Sequence, residues 1–310
     1  MGERRRRAAG RGASRVIAFL IAIATGSVAN ADWLGFFDLD GSFGAAGGHQ
    51  RYVPPISNPL FNEAPYITTE LRPLYLHNEI PSSFVSQGGH IDAGAIEARL
   101  ALTDRLGFIA PKDGYAHLHF NKALNDTTGF ENIAFGLKYA VWSDPAADEI
   151  VSLGALYEPP SGNLRTTGLK LQGHGGGGFF NLFATGAKAW GPLGIQGDMG
   201  VNLAADTIHD SSMFHYAGHI DYQLADGLFA VVEANGFSVF DTGQRIGGNF
   251  EGVDLVNFGT KNAGTVITGA VGLRYQLTEK ILLGAAYERP LTNRQDILGS
   301  RVYVDLVLRY

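Results

Sequence analysis

The stretch Leu193-Gly194-Ile195-Gln196-Gly197-Asp198-Met199-Gly200-Val201-Asn202-Leu203 decides the fold. Its Leu, Ile, Met, Val and Leu alternate with Gln, Asp and Asn at a period of two, the spacing at which side chains of an extended chain share a face. It therefore reads as a strand with one apolar and one polar side. The pattern recurs at Ile133, Phe135, Leu137, Tyr139 and Val141 against Asn132, Ala134, Gly136 and Lys138. It recurs again at Phe214, Tyr216, Ile220, Tyr222 and Leu224 against His215, His219, Asp221 and Gln223, and at Ile267, Val271, Leu273 and Tyr275 against Thr268, Arg274 and Gln276. The chain ends on it, with Val302, Val304, Leu306, Leu308 and Tyr310 set against Arg301, Asp305 and Arg309.

Two architectures write such a pattern. In a soluble sandwich the polar face meets water; in a membrane barrel the apolar face meets lipid and the polar face lines the interior. Length favours the barrel, because the strands run 8 to 13 residues, and about 9–11 tilted residues cross a bilayer whereas soluble strands average about 5–6. Aromatic residues stand at the strand ends, among them Tyr139, Trp142, Tyr157, Phe180, Trp190, Tyr222, Tyr275 and Tyr287, in the manner of interfacial girdles. Connections alternate as well. Short ones at Thr103-Asp104, Val141 to Glu149, Ala189 to Leu193, Leu224 to Gly227 and Gln276 to Lys280 interleave with long ones. The long ones are Glu79 to Gly89, Asp113 to Gly129, Glu158 to Gly178, Ala204 to Ser212, Asp241 to Gly264 and Leu291 to Gly299.

The expectation is an all-β transmembrane antiparallel up-and-down barrel of about twelve strands, occupying residues 67–310. The strands fall at 67–78, 90–102, 105–112, 130–141, 150–158, 179–189, 193–203, 213–223, 228–240, 265–276, 281–290 and 300–310. Residues 164–172 belong to a loop, since a lone thirteenth strand would break the even count. Inward-facing Gly136, Gly194, Gly200 and Gly284 relieve crowding in a narrow wall. After Asp32 no run approaches the length of a transmembrane helix.

Residues 1–31 read as a cleaved signal peptide: Arg4 to Arg7, Arg11 and Arg15 precede an apolar run, Val16 to Ala24, and Ala29-Asn30-Ala31 has a small-x-small form. With six of the 24 basic and one of the 30 acidic residues removed, 18 and 29 remain, a net charge of −11 that argues against nucleic acid as a partner. The absence of cysteine excludes a disulfide scaffold and cysteine-ligated metal. Residues 32–66, with four prolines, precede the first strand as a periplasmic tail or a short plug.

The final segment, Arg301 to Tyr310, resembles the C-terminal signal by which Gram-negative outer-membrane barrels are recognised for assembly, with Tyr310 where Phe is usual and Leu306 and Leu308 on its outward face. Gly129-Phe130-Glu131-Asn132-Ile133-Ala134-Phe135-Gly136-Leu137-Lys138-Tyr139, followed by Leu156-Tyr157-Glu158-Pro159-Pro160-Ser161-Gly162, is similar to the broad family named after outer-membrane proteins of the phenol meta-cleavage pathway. The quoted residues number 28 of 310. The resemblance implies a small barrel in the outer membrane, with outer-membrane lipids and the barrel-assembly machinery as partners, taking up aromatic or other small organic solutes. It carries over no functional residue.

Projected by alternation, the lumen receives Glu97, Arg99, Lys138, Gln196, Asp198, Asn202, His215, His219, Asp221, Glu233, Asn235, Arg274, Glu288, Arg301, Asp305 and Arg309. Both signs occur in similar number, so no simple ion filter is visible; the plain alternative to a permeation role is cross-pairing that rigidifies the wall. His215, His219 and Asp221 suggest metal, but four strand residues at ~3.3 Å set the two imidazoles about 13 Å apart. His117-Leu118-His119, expected in a surface loop, offers a weak chelate at most. His209-Asp210-Ser211-Ser212 lies in a loop where sequence neighbours rarely form a triad. Gly173-His174-Gly175-Gly176-Gly177-Gly178 lacks the Lys-Ser/Thr of a phosphate loop, and Asp38-Leu39-Asp40-Gly41 lacks the acidic twelfth position of a calcium loop, which is His49. No catalytic residue, metal or cofactor is expected. The leading reading is a channel for passive uptake of small, hydrophobic or aromatic molecules. The others are a sealed structural or partner-binding barrel and, third, a lipid-modifying enzyme.

Overall fold

The computed structural model describes Gly48, His49 and residues 51–174 and 176–310. Residues 1–31, expected to be a signal peptide, and the Asp38–Gly41 stretch lie outside the described residues, as does Gly175 of the glycine run.

Twelve antiparallel wall strands follow one another around the ring: β1 Glu70–Ile80, β2 Gly89–Ala101, β3 in two segments Leu106–Lys112 and Gly114–Phe120, and β4 in two segments Thr127–Phe130 and Ala134–Asp144. Next come β5 Glu149–Glu158, β6 Phe179–Trp190, β7 Leu193–Ala204, β8 Ser212–Ala225, β9 Leu228–Asp241, β10 Thr265–Thr278, β11 Ile281–Pro290 and β12 Ser300–Arg309. Each pairs with its neighbour, and β1 closes the ring by pairing with β12 from Glu70↔Arg309 to Glu79↔Ser300. Closure matters physically, since an open edge in lipid would leave a row of unsatisfied peptide groups.

The alternation has the meaning read from the sequence. On β7, Ile195 and Met199 are 40% and 58% exposed while Gln196 and Asp198 are 6% and 4%. Summed over the wall, outward Leu137, Leu153, Leu182, Ile220, Val232, Val271, Leu273 and Val304 make an apolar band far larger than the few hundred Å² a water-soluble protein exposes. Lipid is the solvent that suits it. Turns of two to four residues, 102–105, 145–148, 191–192, 226–227 and 279–280, join strands at one end, and connections of six or more residues join them at the other. Gly227, at φ +70°, serves one of the two-residue turns, where a Cβ would lie 2.8 Å from the Gln276 carbonyl oxygen.

One expected loop is wall. Residues 114–120 and 127–130 extend β3 and β4, so the connection is 121–126 rather than Asp113 to Gly129, and His117 and His119 stand on a strand. Pro111-Lys112-Asp113-Gly114 carries turn chemistry but forms a bulge. Pro111 needs no N–H partner there, and Ile96 N on β2 donates to Asp113 Oδ1 (2.9 Å) across the break. Residues 164–172 do stay off the wall, with Arg165–Thr166 and Leu169–Lys170 pairing as a minimal hairpin.

The long connections lock together. Asn257 Nδ2 donates to Ser211 O (2.8 Å), Asn257 N to Leu171 O (2.7 Å) and Gln172 Nε2 to Leu255 O (2.7 Å). Glu251, buried, accepts from Ser211 Oγ (2.9 Å), Gly252 N (3.1 Å) and Phe258 N. Beneath them Phe84, Leu164, Leu171, Val256, Phe258 and Ile297 join the inward residues Ile80, Ile91, Leu118 and Phe120 in one apolar cluster. The loop-bearing end is thus roofed by apolar residues that continue inward to Val53, Ile56 and Phe61.

Candidate functional site

The interior of the barrel is the candidate site, and it contains part of the chain itself. Residues 51–66 enter at the short-turn end, where the Tyr52 and Tyr66 rings lie 4.7 Å apart, turn back at Asn58–Asn62, and return to the start of β1. Phe61 N and Asn62 N donate to Asn58 O (3.1 and 2.9 Å), and Asn58 has a φ of 50°. Prolines 54, 55, 59 and 65 remove N–H groups that a lumen must otherwise satisfy, and they prevent the hairpin from joining the sheet.

The hairpin packs Val53, Ile56 and Phe61 into the apolar cluster and is held along its backbone by polar contacts. Ile56 N and Ser57 N donate to the two carboxylate oxygens of Glu233 (2.8 and 2.7 Å), and Arg72 and Arg274 donate to Pro55 O (2.9 and 3.1 Å). Ser152 Oγ donates to Pro65 O, and Thr185 Oγ1 to Glu63 O (both 2.6 Å). The Glu63 carboxylate is gripped from two sides, by Arg99 Nε and Nη2 (3.0 and 2.5 Å) and by Lys138 Nζ (2.6 Å). Burial alone would push its pKa up; Arg99 and Lys138 outweigh that and hold it down, to about 2.

Of the sixteen residues projected into the lumen fifteen are buried, among them Glu97, Arg99, Lys138, Asp198, His215, His219, Asp221, Glu233, Arg274, Glu288, Arg301 and Asp305, and Arg309 is half-buried. Their arrangement was not visible in the sequence. A basic arc runs round β10, β12, β1, β2 and β4. There Arg274 makes a bidentate pair with Asp305 (2.8 and 3.0 Å), Asp305 also accepts from Arg72 (2.6 Å), and Glu97 bridges Arg72 (3.4 Å) and Arg99 (2.9 Å). Across the lumen stands an acidic arc on β7, β8 and β9. It holds Asp198, 3.2 Å from His215 Nδ1, and Asp221 and Glu233 on either side of His219 (3.4 and 2.8 Å). The hairpin answers both arcs, with Glu63 on the basic one and Arg51, paired to Asp221, on the acidic one.

The signal that would have revealed this segregation is a desert: residues 189–244 contain no lysine or arginine. Arg72 escaped projection because Pro73 interrupts the alternation of β1, and Glu63 because nothing in the proline-rich segment shows a period. Nearer the loop end Arg301 pairs with Asp254 (2.8 and 2.9 Å), and the buried Tyr303 donates to Glu288 (2.7 Å). Arg309 covers the Tyr52 ring at 4.0 Å. Leu306 and Leu308 lie on the outer half of β12, and Tyr310 is 65% exposed. Three glycines make room for this furniture: a Cβ at Gly284 would lie 2.3 Å from Asp305 Oδ1 and 2.8 Å from Arg274 Nη1, one at Gly194 2.2 Å from Asp221 Oδ2, and one at Gly200 2.5 Å from His215 Nε2. The voids that remain are small, about 20 Å³ beside Phe61 and Lys112 and about 40 Å³ beside Leu60 and Leu76.

The His209–Ser212 loop forms no nucleophile pair. His209 Nδ1 lies 2.7 Å from Asp206, Ser211 Oγ donates to Glu251 (2.9 Å), and Ser212 Oγ accepts from Ala204 N (3.0 Å).

No known family matches the sequence, and no curated protein is detectably similar to it. Solved structures do match by shape. An outer-membrane channel from Pseudomonas putida F1 is 13% identical, with a TM-score of 0.56 over 84% of this chain and 100% of the other. The NanC porin is 10% identical with a TM-score of 0.47 over 78% and 100%, and outer-membrane phospholipase A from Escherichia coli is 11% identical with a TM-score of 0.37 over 84% and 95%. At these identities the likeness is one of fold.

Proposed function

We propose that the protein is an outer-membrane channel for passive uptake of small organic molecules, held closed here by residues 51–66, and that its preferred solutes are aromatic carboxylates. One observation carries the reading: the Glu63 carboxylate sits in a ready-made carboxylate site of Arg99 and Lys138 on the wall, at the end of polar contacts that a solute could replace. A lumen wide enough for a folded-back polypeptide is wide enough for a single ring once the hairpin leaves. The outer apolar band, the exported character of the amino terminus and the C-terminal segment support the location, and the sequence resemblance to the phenol-pathway family supports aromatic solutes. The acid and base arcs facing each other would hold a dipolar or anionic solute in a transverse field as it passes.

The test is single-channel conductance of the chain Asp32–Tyr310 in planar bilayers, alongside a variant lacking residues 51–66, each first shown to be a folded barrel by its gel shift on heating. The full chain is expected to be mostly closed and the deletion to give steady ohmic steps with anion preference, reduced by benzoate. A second reading, a sealed barrel, is favoured by the apolar roof under the loops. A folded deletion variant that conducts nothing would establish that reading and sink the first.

A further inference from the structure

The wall beyond the aromatic row Tyr75, Tyr115 and Phe130, on the loop-bearing side, changes character on its outer face. Register sets Glu79, His90 and His119 side by side in one cross-strand row and His77, Asp92, His117 and Thr128 in the next. These rows stand on β1, β2, the second segment of β3 and the first of β4, the last two lying where a loop is expected from the sequence. His90 is at the centre of the imidazoles, with ring centroids 5.1 Å from His119, 5.8 Å from His77 and 6.1 Å from His117.

We propose that His90, His117 and His119 form a site for a divalent transition-metal ion of the kind imidazole prefers, zinc or copper. Spacing is the first argument. Two imidazoles bound to one ion at ~2.1 Å and a tetrahedral angle have ring centroids roughly 5 Å apart, which is the separation of the directly opposed His90 and His119. The second argument is the fixing of tautomers. His119 Nδ1 lies 2.7 Å from Asp126 Oδ2, a carboxylate that can only accept, so the proton of that ring sits on Nδ1 and its Nε2 is left for the ion, and metal-bound histidines characteristically give their other nitrogen to such a partner. His77 is excluded on the same ground, because Asp92 and Glu79 take both of its nitrogens (2.7 and 3.0 Å). Third, Asp92, Asp126 and Glu79 surround the rings with negative charge, which draws a cation in.

Among the described residues no three such side chains already converge on one point. Binding therefore needs the exposed His117 ring to leave Thr128 Oγ1 and turn towards the opposed pair, a rotation that an exposed side chain makes in picoseconds to nanoseconds. The competing pair, His174 and His209 with centroids 4.9 Å apart, has no third imidazole beside it among the described residues.

The test uses untagged full-length protein in detergent. Zn²⁺ is titrated calorimetrically, and Cu²⁺ is followed by electron paramagnetic resonance, whose nitrogen splitting counts bound imidazoles; the heat-dependent gel shift verifies each variant's fold. The expected result is one ion per chain with splitting from two or three nitrogens. Affinity should fall at least tenfold in His90→Ala and in His119→Ala, and 10- to 100-fold in Asp126→Asn, with His77→Ala and His209→Ala unchanged. Absence of saturable binding, or loss in His209→Ala with His90→Ala intact, would overturn the assignment.

Discussion

Glu63 is the counter-ion of a basic arc in which Arg72, Arg99, Lys138 and Arg274 otherwise face Glu70, Glu97 and Asp305. Removing one partner of a buried pair costs about 3–5 kcal/mol, so Glu63→Gln should loosen the hairpin and raise open probability severalfold in single-channel records. Acid should act in the same direction. Because its pKa falls from the ordinary 4.5 to about 2, the pairing contributes fully above 4.5 and is lost as pH falls through that window, so openings should multiply between pH 4.5 and 2 and Glu63→Gln should abolish the trend. Gly284→Ala pushes a methyl group into the Arg274–Asp305 pair and should destabilise the barrel by about 1–3 kcal/mol in urea unfolding. At this scale the sequence was half legible. Strand parity sorted Glu97, Asp198, Glu233 and their neighbours onto one face, because parity is a local property. It gave no partner to any of them, because partners come from register and closure.

The elements were more legible than the residues, since twelve strands and two classes of connection follow from period and turn chemistry, and the off-wall position of 164–172 from the even strand count. The failure at β3 is instructive. Pro111 and Gly114 carry the same local preferences in a bulge as in a loop, and what distinguishes the two is whether a neighbouring strand is there to bridge the break. Asp113 supplies that bridge to Ile96 N. Asp113→Ala should therefore cost about 0.5–1.5 kcal/mol, read as a lower temperature for the gel shift, with the strand register unchanged in amide exchange. The hairpin at 51–66 was beyond any periodic reading, for it is neither strand nor helix and takes its shape from the walls around it.

Over the whole molecule two solvents are separated by one layer of chain, apolar outside and charged inside. Arginine on the outer band should cost about 2–4 kcal/mol at mid-depth and little near the interfaces. Val271→Arg, 60% exposed on β10, is expected to show that loss by unfolding in lipid vesicles, while Ile208→Arg, 64% exposed in a loop, should stay within about 1 kcal/mol. Equal effects at both positions would mean that the band does not face lipid. The hairpin also bears on chronology. It immediately precedes β1, and β1 is sealed to β12, the last strand made, so the earliest described part of the chain is enclosed by the latest. Arg72 and Arg99, on the two strands beside that seam, hold the hairpin at Pro55 O and at the Glu63 carboxylate. If residues 51–66 are a mandrel around which the wall is wound, a barrel refolded without them should close more slowly even where its finished conductance is higher.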